Sequence, residues 1–397
     1  MKRDGSLFAS ALALGALLHT PPTAEAQEVR APATCQMIMP GDPGGEANTI
    51  IFKGCNIKVL NGSGSTATAN GLGNLIVGYN EARCGGADRR TGSHNVIVGA
   101  KDNYTSYGGL VVGYQNETTG AYSTVNGGSE NIASGGYSAI AGGRVNEATG
   151  LYSSITGGQY GHARGGSSMV LGGWNNYAQS NFTTVVGGKD NQATGGVVGD
   201  PYAPVYSTVV GGLSNAAWGL YSVVSGGSSN QALGDRSSVS GGGLNTAEGD
   251  SASISGGSSN HASGSTAAIS GGSTNTASGS HASVSGGTHN EASGTYCWVG
   301  GGEENVASSD TNAVVGGSQN LAYGGHATVS GGIANTASGD SSAVCGGSDN
   351  EALGDRSTVG GGLTNVAGGY CSSVSGGLER TVSGFYDWRA GTYFQEQ

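Results

Sequence analysis

The segment from Ser238 to Gly264, SVSGGGLNTAEGDSASISGGSSNHASG, contains the same pattern twice. We take Asn245 as an anchor. Forward steps of 15 residues reach Asn260, Asn275, Asn290, Asn305, Asn320, Asn335, Asn350 and Asn365, and one backward step reaches Asn230. Towards the N-terminus the series passes Asn215, takes one step of 24 residues to Asn191, and continues through Asn176, Gly161, Asn146 and Asn131. A period kept so strictly is typical of a repeat architecture.

Other positions keep the same register relative to the anchor. Val or Ile lies six residues before it, Gly-Gly lies four and three residues before it, and Ala lies two residues after it. Gly lies four residues after it in 14 of 16 copies, and Ser180 and Ser309 are the exceptions. The β-branched residue alternates with serine, as in Ser238-Val239-Ser240, which indicates a strand, and the glycines indicate turns.

A period of 15 residues is too short for two packed helices, whose repeats need roughly 33–47 residues. We therefore predict an all-β fold, a parallel β-solenoid in which each 15-residue repeat forms one coil of strand, tight turn, short strand and turn. The Val and the Ala would point inwards, and successive coils would stack about 4.8 Å apart.

The composition fits this fold and excludes others. The chain has 397 residues, of which 79 are Gly and only 11% are charged, so it cannot fill a conventional core of large aliphatic and aromatic side chains. Its net charge of -11 argues against nucleic acid as a partner.

The chain divides into five predicted segments. Residues 1–26 have a basic start, an apolar run from Leu7 to Leu18 and an Ala24-Glu25-Ala26 cleavage site, which predicts a Sec signal peptide. We expect an irregular or capping segment over 27–70, irregular first coils over 71–115, the regular roll over 116–384 with an insertion near 196–205, and a C-terminal cap over 385–397. The mature chain is expected outside the cell or at the cell surface of a bacterium, without a transmembrane segment.

The repeats SISGGSSNHASGS at Ser253 to Ser265 and SVSGGTHNEASGT at Ser283 to Thr295 resemble the head repeats of YadA-like trimeric autotransporter adhesins. The resemblance covers about residues 110–385 and implies a left-handed β-roll, a side-by-side homotrimer and an adhesive function. The chain departs from the family in its period of 15 and in lacking a heptad-patterned stalk and a membrane-anchor pattern, so the resemblance is to the head alone. A thin coil with one Val and one Ala inside recovers little of the backbone entropy lost on folding, which independently favours a homotrimer.

An aromatic residue recurs six residues after the anchor. The residues at this position include Tyr122, Tyr137, Tyr152, Phe182, Tyr221 and Tyr296, and Tyr206, which follows the nine-residue insertion, holds the same phase just before the next coil. Because they follow the turn glycine, we expect them to point outwards, where a row of aromatic rings can bind sugar or protein. Alternatively, they stack on one another along the turn or pack between chains. We call this set the aromatic row.

The recurrent asparagine has two possible roles. The side chains of Asn230, Asn245, Asn260, Asn275, Asn290, Asn335 and Asn350 could form a ladder of amides that satisfies backbone groups of the next coil. Alternatively, asparagine is present because it tolerates a left-handed turn conformation.

Six cysteines follow the predicted signal peptide. Cys35 and Cys55 could form a disulfide, for which Cys84 competes. Cys297, Cys345 and Cys371 lie two to five coils apart, roughly 10–24 Å, which is too far for a disulfide within one chain.

Sequence patterns of an enzyme or a metal site are weak. The histidines, among them His261, His281 and His326, are scattered over repeat phases, the cysteine spacing does not fit zinc, and calcium-binding nonapeptide repeats need an Asp that is absent here. We predict no catalytic residues, metal or cofactor. The predicted function is a secreted or surface structural or adhesion protein that presents a binding surface to extracellular protein or glycan; the alternatives are an ice- or surface-binding solenoid and, less favoured, a polysaccharide-acting β-helix enzyme.

Overall fold

The computed structural model describes residues 36–42, 44–83, 88–195 and 205–390. The chain forms two compact units, residues 1–58 and 59–397. The described part of the first unit contains an antiparallel strand pair, Gln36–Ile38 with Ile51–Lys53, in which Gln36 is opposite Lys53. Cys55 is disulfide-bonded, and its partner lies outside the described residues. The predicted pairing with Cys35 therefore stays a prediction.

The second unit is a parallel β-solenoid of about 19 coils of about 15 residues each, so the predicted fold class is confirmed. The described residues contain strands and turns and no helix, and hence no helix that is long and apolar enough to cross a membrane. Each regular coil contributes one short strand to each of two parallel sheets. A third row of single bridging residues lies two residues before the anchors, for example Ser228, Gly243 and Ser258.

The first sheet contains the strands Leu75–Val77, Val96–Ala100, Leu110–Tyr114, Thr124–Val125, Ala139–Ile140, Ser154–Ile155, Met169–Val170, Thr184–Val185, Thr208–Val209, Val223–Val224, Ser238–Val239, Ser253–Ile254, Ala268–Ile269, Ser283–Val284, Trp298–Val299, Ala313–Val314, Thr328–Val329, Ala343–Val344, Thr358–Val359, Ser373–Val374 and Trp388–Arg389. The second sheet contains Asn103–Tyr104, Glu117–Thr118, Ile132–Ala133, Glu147–Ala148, His162–Ala163, Tyr177–Ala178, Gln192–Ala193, Ala216–Ala217, Gln231–Ala232, Thr246–Ala247, His261–Ala262, Thr276–Ala277, Glu291–Ala292, Val306–Ala307, Leu321–Ala322, Thr336–Ala337, Glu351–Ala352, Val366–Ala367 and Thr381–Val382.

Strand register follows the sequence period. Val239 pairs with Ile254 in the first sheet, and Ala247 pairs with Ala262 in the second, so each residue stacks on its counterpart in the next coil. The 24-residue step does not interrupt the stack, because Thr184–Val185 pairs directly with Thr208–Val209. Residues 196–204, which make up most of the predicted insertion, lie outside the described part. At the C-terminal end, Trp388–Arg389 in the predicted cap continues the first sheet by pairing with Ser373–Val374.

The interior is lined by four residues per coil, where the sequence predicted two. The Val or Ile six residues before the anchor and the Ala two residues after it are buried, as Val239 and Ala247 illustrate. The anchor asparagine and the residue eight before it are also buried, as Asn245 and Ser237 illustrate. The prediction of an interior with only one Val and one Ala was therefore wrong, because small and polar side chains share the inside of the coil.

Two of the three recurrent glycines are required by close approach of the backbone. At Gly257, three residues before its anchor, φ is +87°, and an added Cβ would lie under 3.0 Å from the carbonyl oxygen of Gly272 in the next coil. At Gly264, four residues after its anchor, an added Cβ would lie under 3.0 Å from the carbonyl oxygen of Gly279. An added Cβ at Gly256 would meet nothing within 4 Å. In this coil the turn therefore needs the second glycine of the Gly-Gly pair, Gly257, for steric reasons, and not the first, Gly256.

The buried serines eight residues before the anchor give a stability prediction. The hydroxyl of Ser237 is buried and has no hydrogen-bond partner, and the next coil has Ala252 at the same position. Ser237→Ala is expected to raise the free energy of unfolding by about 0.5–1 kcal/mol, because a buried unpaired hydroxyl is removed. Ser123→Ala is the matched control and should lower it, because the Ser123 hydroxyl donates to the Gly120 carbonyl at 2.8 Å. Urea unfolding of both variants measures the difference; equal destabilisation would contradict the account.

Candidate functional site

The anchor asparagines form a hydrogen-bonded ladder inside the solenoid, interrupted at Gly161, which takes the anchor position between Asn146 and Asn176. The backbone N–H of Asn260 donates to Oδ1 of Asn245 at 3.0 Å, and the Asn275 N–H donates to Oδ1 of Asn260 at 3.0 Å. The Nδ2 of Asn260 donates to the carbonyl of Gly256 in its own coil and to the carbonyl of Gly272 in the next. All of the predicted ladder residues are at most 1% exposed: Asn230, Asn245, Asn260, Asn275, Asn290, Asn335 and Asn350.

The alternative explanation for asparagine does not hold at this position. Positive φ values occur at the residue before the anchor, for example 55° at Ser259 and 56° at Thr274, and not at Asn260 or Asn275. Asparagine is therefore needed for its amide, which pairs three backbone groups that would otherwise be buried and unpaired.

The ladder begins with a carboxylate. Asp102 lies in the ladder position one coil before Asn116 and accepts the Asn116 N–H on Oδ1 at 2.8 Å. Its Oδ2 is buried without a hydrogen-bond partner and is close to Gly99, as Nδ2 of Asn116 is to Gly113. In Asp102, the Oδ2 atom therefore takes the place of the asparagine Nδ2, which donates to backbone carbonyls in later coils. Burial raises the pKa of Asp102 to about 6, although the Asn116 N–H and the Arg83 guanidinium oppose the shift.

Asp102→Asn is expected to stabilise the solenoid at neutral pH. Because the pKa in the folded state, about 6, exceeds the ordinary value of 3.8, the protonated carboxyl is favoured by folding. Its stabilising contribution is complete below pH 3.8 and is lost as the pH rises through about 6. The variant should gain about 2 kcal/mol at pH 7 and little at pH 4. Urea unfolding at both pH values tests this, and an equal effect at the two values would contradict it.

The aromatic row lies on one edge of the solenoid, at the turn that follows the second sheet. The side chains of Tyr122, Tyr137, Tyr152, Phe182, Tyr206, Tyr221 and Tyr296 are 37% to 61% exposed, so they point outwards. Each has a positive φ, between 56° and 60°, which places its ring directly over the same position of the neighbouring coil.

The rings stack along the edge, as the alternative interpretation expected. Tyr122, Tyr137 and Tyr152 form one stack with ring centroids 5.1 Å apart, and Tyr107 packs edge-on against its end. Phe182, Tyr206 and Tyr221 form a second stack, with centroids 5.0 and 5.1 Å apart. Tyr296 stacks with His281 in a third group. Stacking and exposure are compatible, because the stacked rings remain 37% to 61% exposed.

The first two stacks are separated by one coil, in which Ser167 takes the aromatic position. The gap is a cleft of about 640 Å³ lined by Tyr152 and Phe182, with Arg164, Ser167 and Asn181 between them. The Asn181 Oδ1 accepts the Gly166 N–H at 2.7 Å and so fixes the floor of the cleft. The sequence-based prediction missed Arg164, Ser167 and Asn181; the signal that could have found them is one non-aromatic residue between aromatic neighbours.

A cluster of aromatic and charged side chains, Glu147, His162, Arg164 and Tyr177, adjoins this cleft on the outer face of the second sheet. The His162 Nδ1 lies 3.0 Å from Oε2 of Glu147, and its ring stacks on Tyr177 with centroids 4.5 Å apart. The Arg164 guanidinium lies 3.7 Å from Glu147 and 5.9 Å from the Tyr177 ring centroid. Arg164 therefore links this cluster to the cleft and is held from two sides.

The remaining candidate residues are dispersed. Cys297, Cys345 and Cys371 are free thiols at three different positions of the coil. His261 contacts Glu248 at 2.9 Å, whereas His281 and His326 each contact a threonine hydroxyl of the preceding coil. Within the described ranges, no three His, Cys, Asp or Glu side chains come together in a way that could hold a metal ion.

Known protein families and curated proteins give no match to this chain. The resemblance to YadA-like head repeats therefore rests on the repeat sequence quoted above.

Proposed function

We propose that this protein is a secreted or cell-surface structural and adhesion protein, a rigid solenoid that presents the aromatic row to an extracellular protein or glycan. The observation that carries the proposal is the row itself, in which exposed rings are repeated along one edge at the spacing of the coils. Exposed aromatic rings are energetically suited to binding because they are large, rigid and amphipathic.

The interior supports the proposal because it makes the edge rigid. Backbone hydrogen bonds join each coil to the next on both sheets, for example from Ser253 N–H to the Ala267 carbonyl, and the asparagine ladder joins them again inside. Side chains that are held in advance lose little entropy when a ligand binds, so a modest contact per ring is sufficient for affinity along the row.

We further propose that three copies pack side by side. The outer face of the first sheet carries exposed apolar side chains on three adjacent coils, Met169, Leu171, Val186 and Val210, and burial of this patch would supply apolar contacts that a single thin coil lacks. Light scattering on residues 27–397 is expected to give three times the mass of one chain. A monomer at micromolar concentration would exclude the trimer.

Ice binding is less well supported than adhesion. An ice-binding face needs a uniform rank of one small polar residue type, whereas the outward position seven before the anchor carries Thr184, Thr208, Val223 and Ser238 on successive coils. Enzymatic activity stays the least favoured alternative. His162 pairs with Glu147 and stacks on Tyr177, so these side chains pack against one another on the outer surface of the sheet.

The test of the adhesive function is binding of the mature chain to an array of glycans and extracellular matrix proteins. The triple variant Tyr122/Tyr137/Tyr152→Ala is expected to lose at least tenfold in affinity for the ligand found, since each exposed ring contributes about 1 kcal/mol or more to binding. Tyr323→Ala is the control, because Tyr323 is equally exposed but lies outside the row. Unchanged binding by the triple variant would contradict the proposal.

A further inference from the structure

We propose that the cleft at Ser167 is a carbohydrate subsite that accepts one pyranose ring between the faces of Tyr152 and Phe182. The inference rests on the proposed adhesive function and specifies its ligand class and its position. The main chain at the gap has the same conformation as in the neighbouring coils. The φ of Ser167 is 54°, close to 58° at Tyr152 and 60° at Phe182, and the Ser167 N–H donates to the Leu151 carbonyl at 2.7 Å. The coil is therefore regular and lacks only a ring.

The gap has the thickness of one ring. Adjacent rings of the row are 5.0–5.1 Å apart, so Tyr152 and Phe182, two coils apart, are separated by roughly 10 Å at about 4.8 Å per coil. A ring inserted midway would contact one aromatic face on each side at the spacing that the row itself uses. The cleft volume of about 640 Å³ lies within the usual range for small-molecule sites, roughly 300–1,000 Å³.

The chemistry of the floor and the walls favours a sugar ring over an aromatic side chain. Ser167, Arg164, Asn181 and Thr149 supply the polar side chains that line the cleft. A pyranose has apolar C–H faces for the two aromatic rings and hydroxyls around its rim for these polar groups. An aromatic side chain would cover the same polar groups without pairing them, which is unfavourable.

The polar side chains are already positioned. Arg164 is held by Glu147 and by the ring of Tyr177, and the Asn181 amide is fixed by its hydrogen bond from the Gly166 N–H. Gly166 has no side chain that could fill the cleft, and a Cβ there would lie 3.0 Å from Oδ1 of Asn181. A site with fixed walls does not lose binding energy to rearrangement when the ligand enters.

Two other interruptions of the row are closed by side-chain contacts. Thr311 lies between Tyr296 and His326, but its hydroxyl contacts the His326 ring and closes the space. In the same way, the Thr266 hydroxyl contacts His281 at 2.6 Å. The gap at Ser167 is flanked by aromatic rings on both sides and is open to solvent.

The test uses Ser167→Tyr in the mature chain. Tyrosine is the residue at this position in the coils of Tyr137 and Tyr152, with the same backbone conformation, so the variant should fold and join the two stacks into one. The probes are tetra- to hexasaccharides of glucose, galactose and N-acetylglucosamine, each at up to 10 mM, and N-acetyltryptophanamide as an aromatic competitor. Binding is followed by saturation-transfer NMR and by isothermal titration.

The expected result is that the wild-type chain binds at least one oligosaccharide and that Ser167→Tyr weakens this binding at least tenfold, whereas Tyr323→Ala, outside the row, leaves it unchanged. Circular dichroism must show that Ser167→Tyr is folded; if it is not, Phe182→Ser is used in its place. The subsite is wrong if no oligosaccharide binds, if Ser167→Tyr binds as wild type does, or if only the tryptophan derivative binds. Array binding that is lost in the triple tyrosine variant but retained in Ser167→Tyr would leave the adhesive function standing and overturn the subsite alone.

Discussion

Gly257→Ala is expected to destabilise the solenoid by more than about 4 kcal/mol, whereas Gly256→Ala in the adjacent position changes its stability by less than about 1 kcal/mol. At Gly257 φ is +87°, and a Cβ would overlap the Gly272 carbonyl oxygen and come to 2.5 Å from Nδ2 of Asn260. Neither neighbour can move aside, because the carbonyl belongs to the next coil and the amide belongs to the ladder. At Gly256 there is open space and the backbone conformation suits any residue.

The two alanine variants form a matched pair, since they add the same methyl group to neighbouring residues of one turn. Urea unfolding followed by circular dichroism measures the difference in the free energy of unfolding. Because each coil contacts only its neighbours, the defect should also appear as faster hydrogen exchange in the coils around residue 257. Equal effects of the two substitutions would mean that the coil spacing described above is incorrect.

Asn260→Asp is expected to lower the free energy of unfolding by about 3–5 kcal/mol at pH 7. The substitution replaces an amide nitrogen, which donates to the carbonyls of Gly256 and Gly272, by an oxygen that repels both. The side chain is 1% exposed, so the charge cannot be hydrated. Burial and the facing carbonyls should raise the pKa of the new carboxyl, and the loss should shrink at pH 4, where the protonated acid can donate again.

Ser259→Asp is the control for this charge. Ser259 is exposed and immediately precedes the anchor, and the chain carries Asp190 and Asp349 at the same repeat position with the same left-handed backbone. The control should change stability by less than about 0.5 kcal/mol at either pH. A loss for Asn260→Asp that does not exceed that of the control would show that the ladder contributes little to stability. Asp102→Asn is the reverse substitution at another ladder position, since it replaces a carboxylate oxygen by an amide nitrogen.

Much of the solenoid could be predicted from the sequence because its period, its β-branched residues and its glycines are each required by the backbone. The inward orientation of Ser237 could not be predicted, because a buried serine gives no hydrophobic signal. Only the restriction of this repeat position to small residues distinguishes it from an exposed position. The left-handed conformation of Tyr137 and Tyr152 could not be predicted either, since tyrosine does not favour positive φ and adopts it here because the coil requires it.

The candidate site was predictable in part. The aromatic row follows directly from the register, but whether its rings stack or stand apart depends on the orientation of side chains in three dimensions. The cleft was missed because it forms where Ser167 has no aromatic ring. This absence is informative only in three dimensions, where Tyr152 and Phe182 line the same space. The homotrimer depends on surfaces of more than one chain and remains a proposal.

Hydroxyl-radical footprinting of the mature chain, with and without the ligand found on the array, tests most directly whether the aromatic row is the binding surface. Modification of each tyrosine and phenylalanine is quantified by mass spectrometry, so the measurement does not presuppose the site. The account predicts that the ligand protects Tyr152, Phe182 and their neighbours in the row, while Tyr323 and Tyr79, which are exposed outside the row, are modified as before. Protection of Tyr323 or of the sheet faces, with the row unchanged, would contradict it.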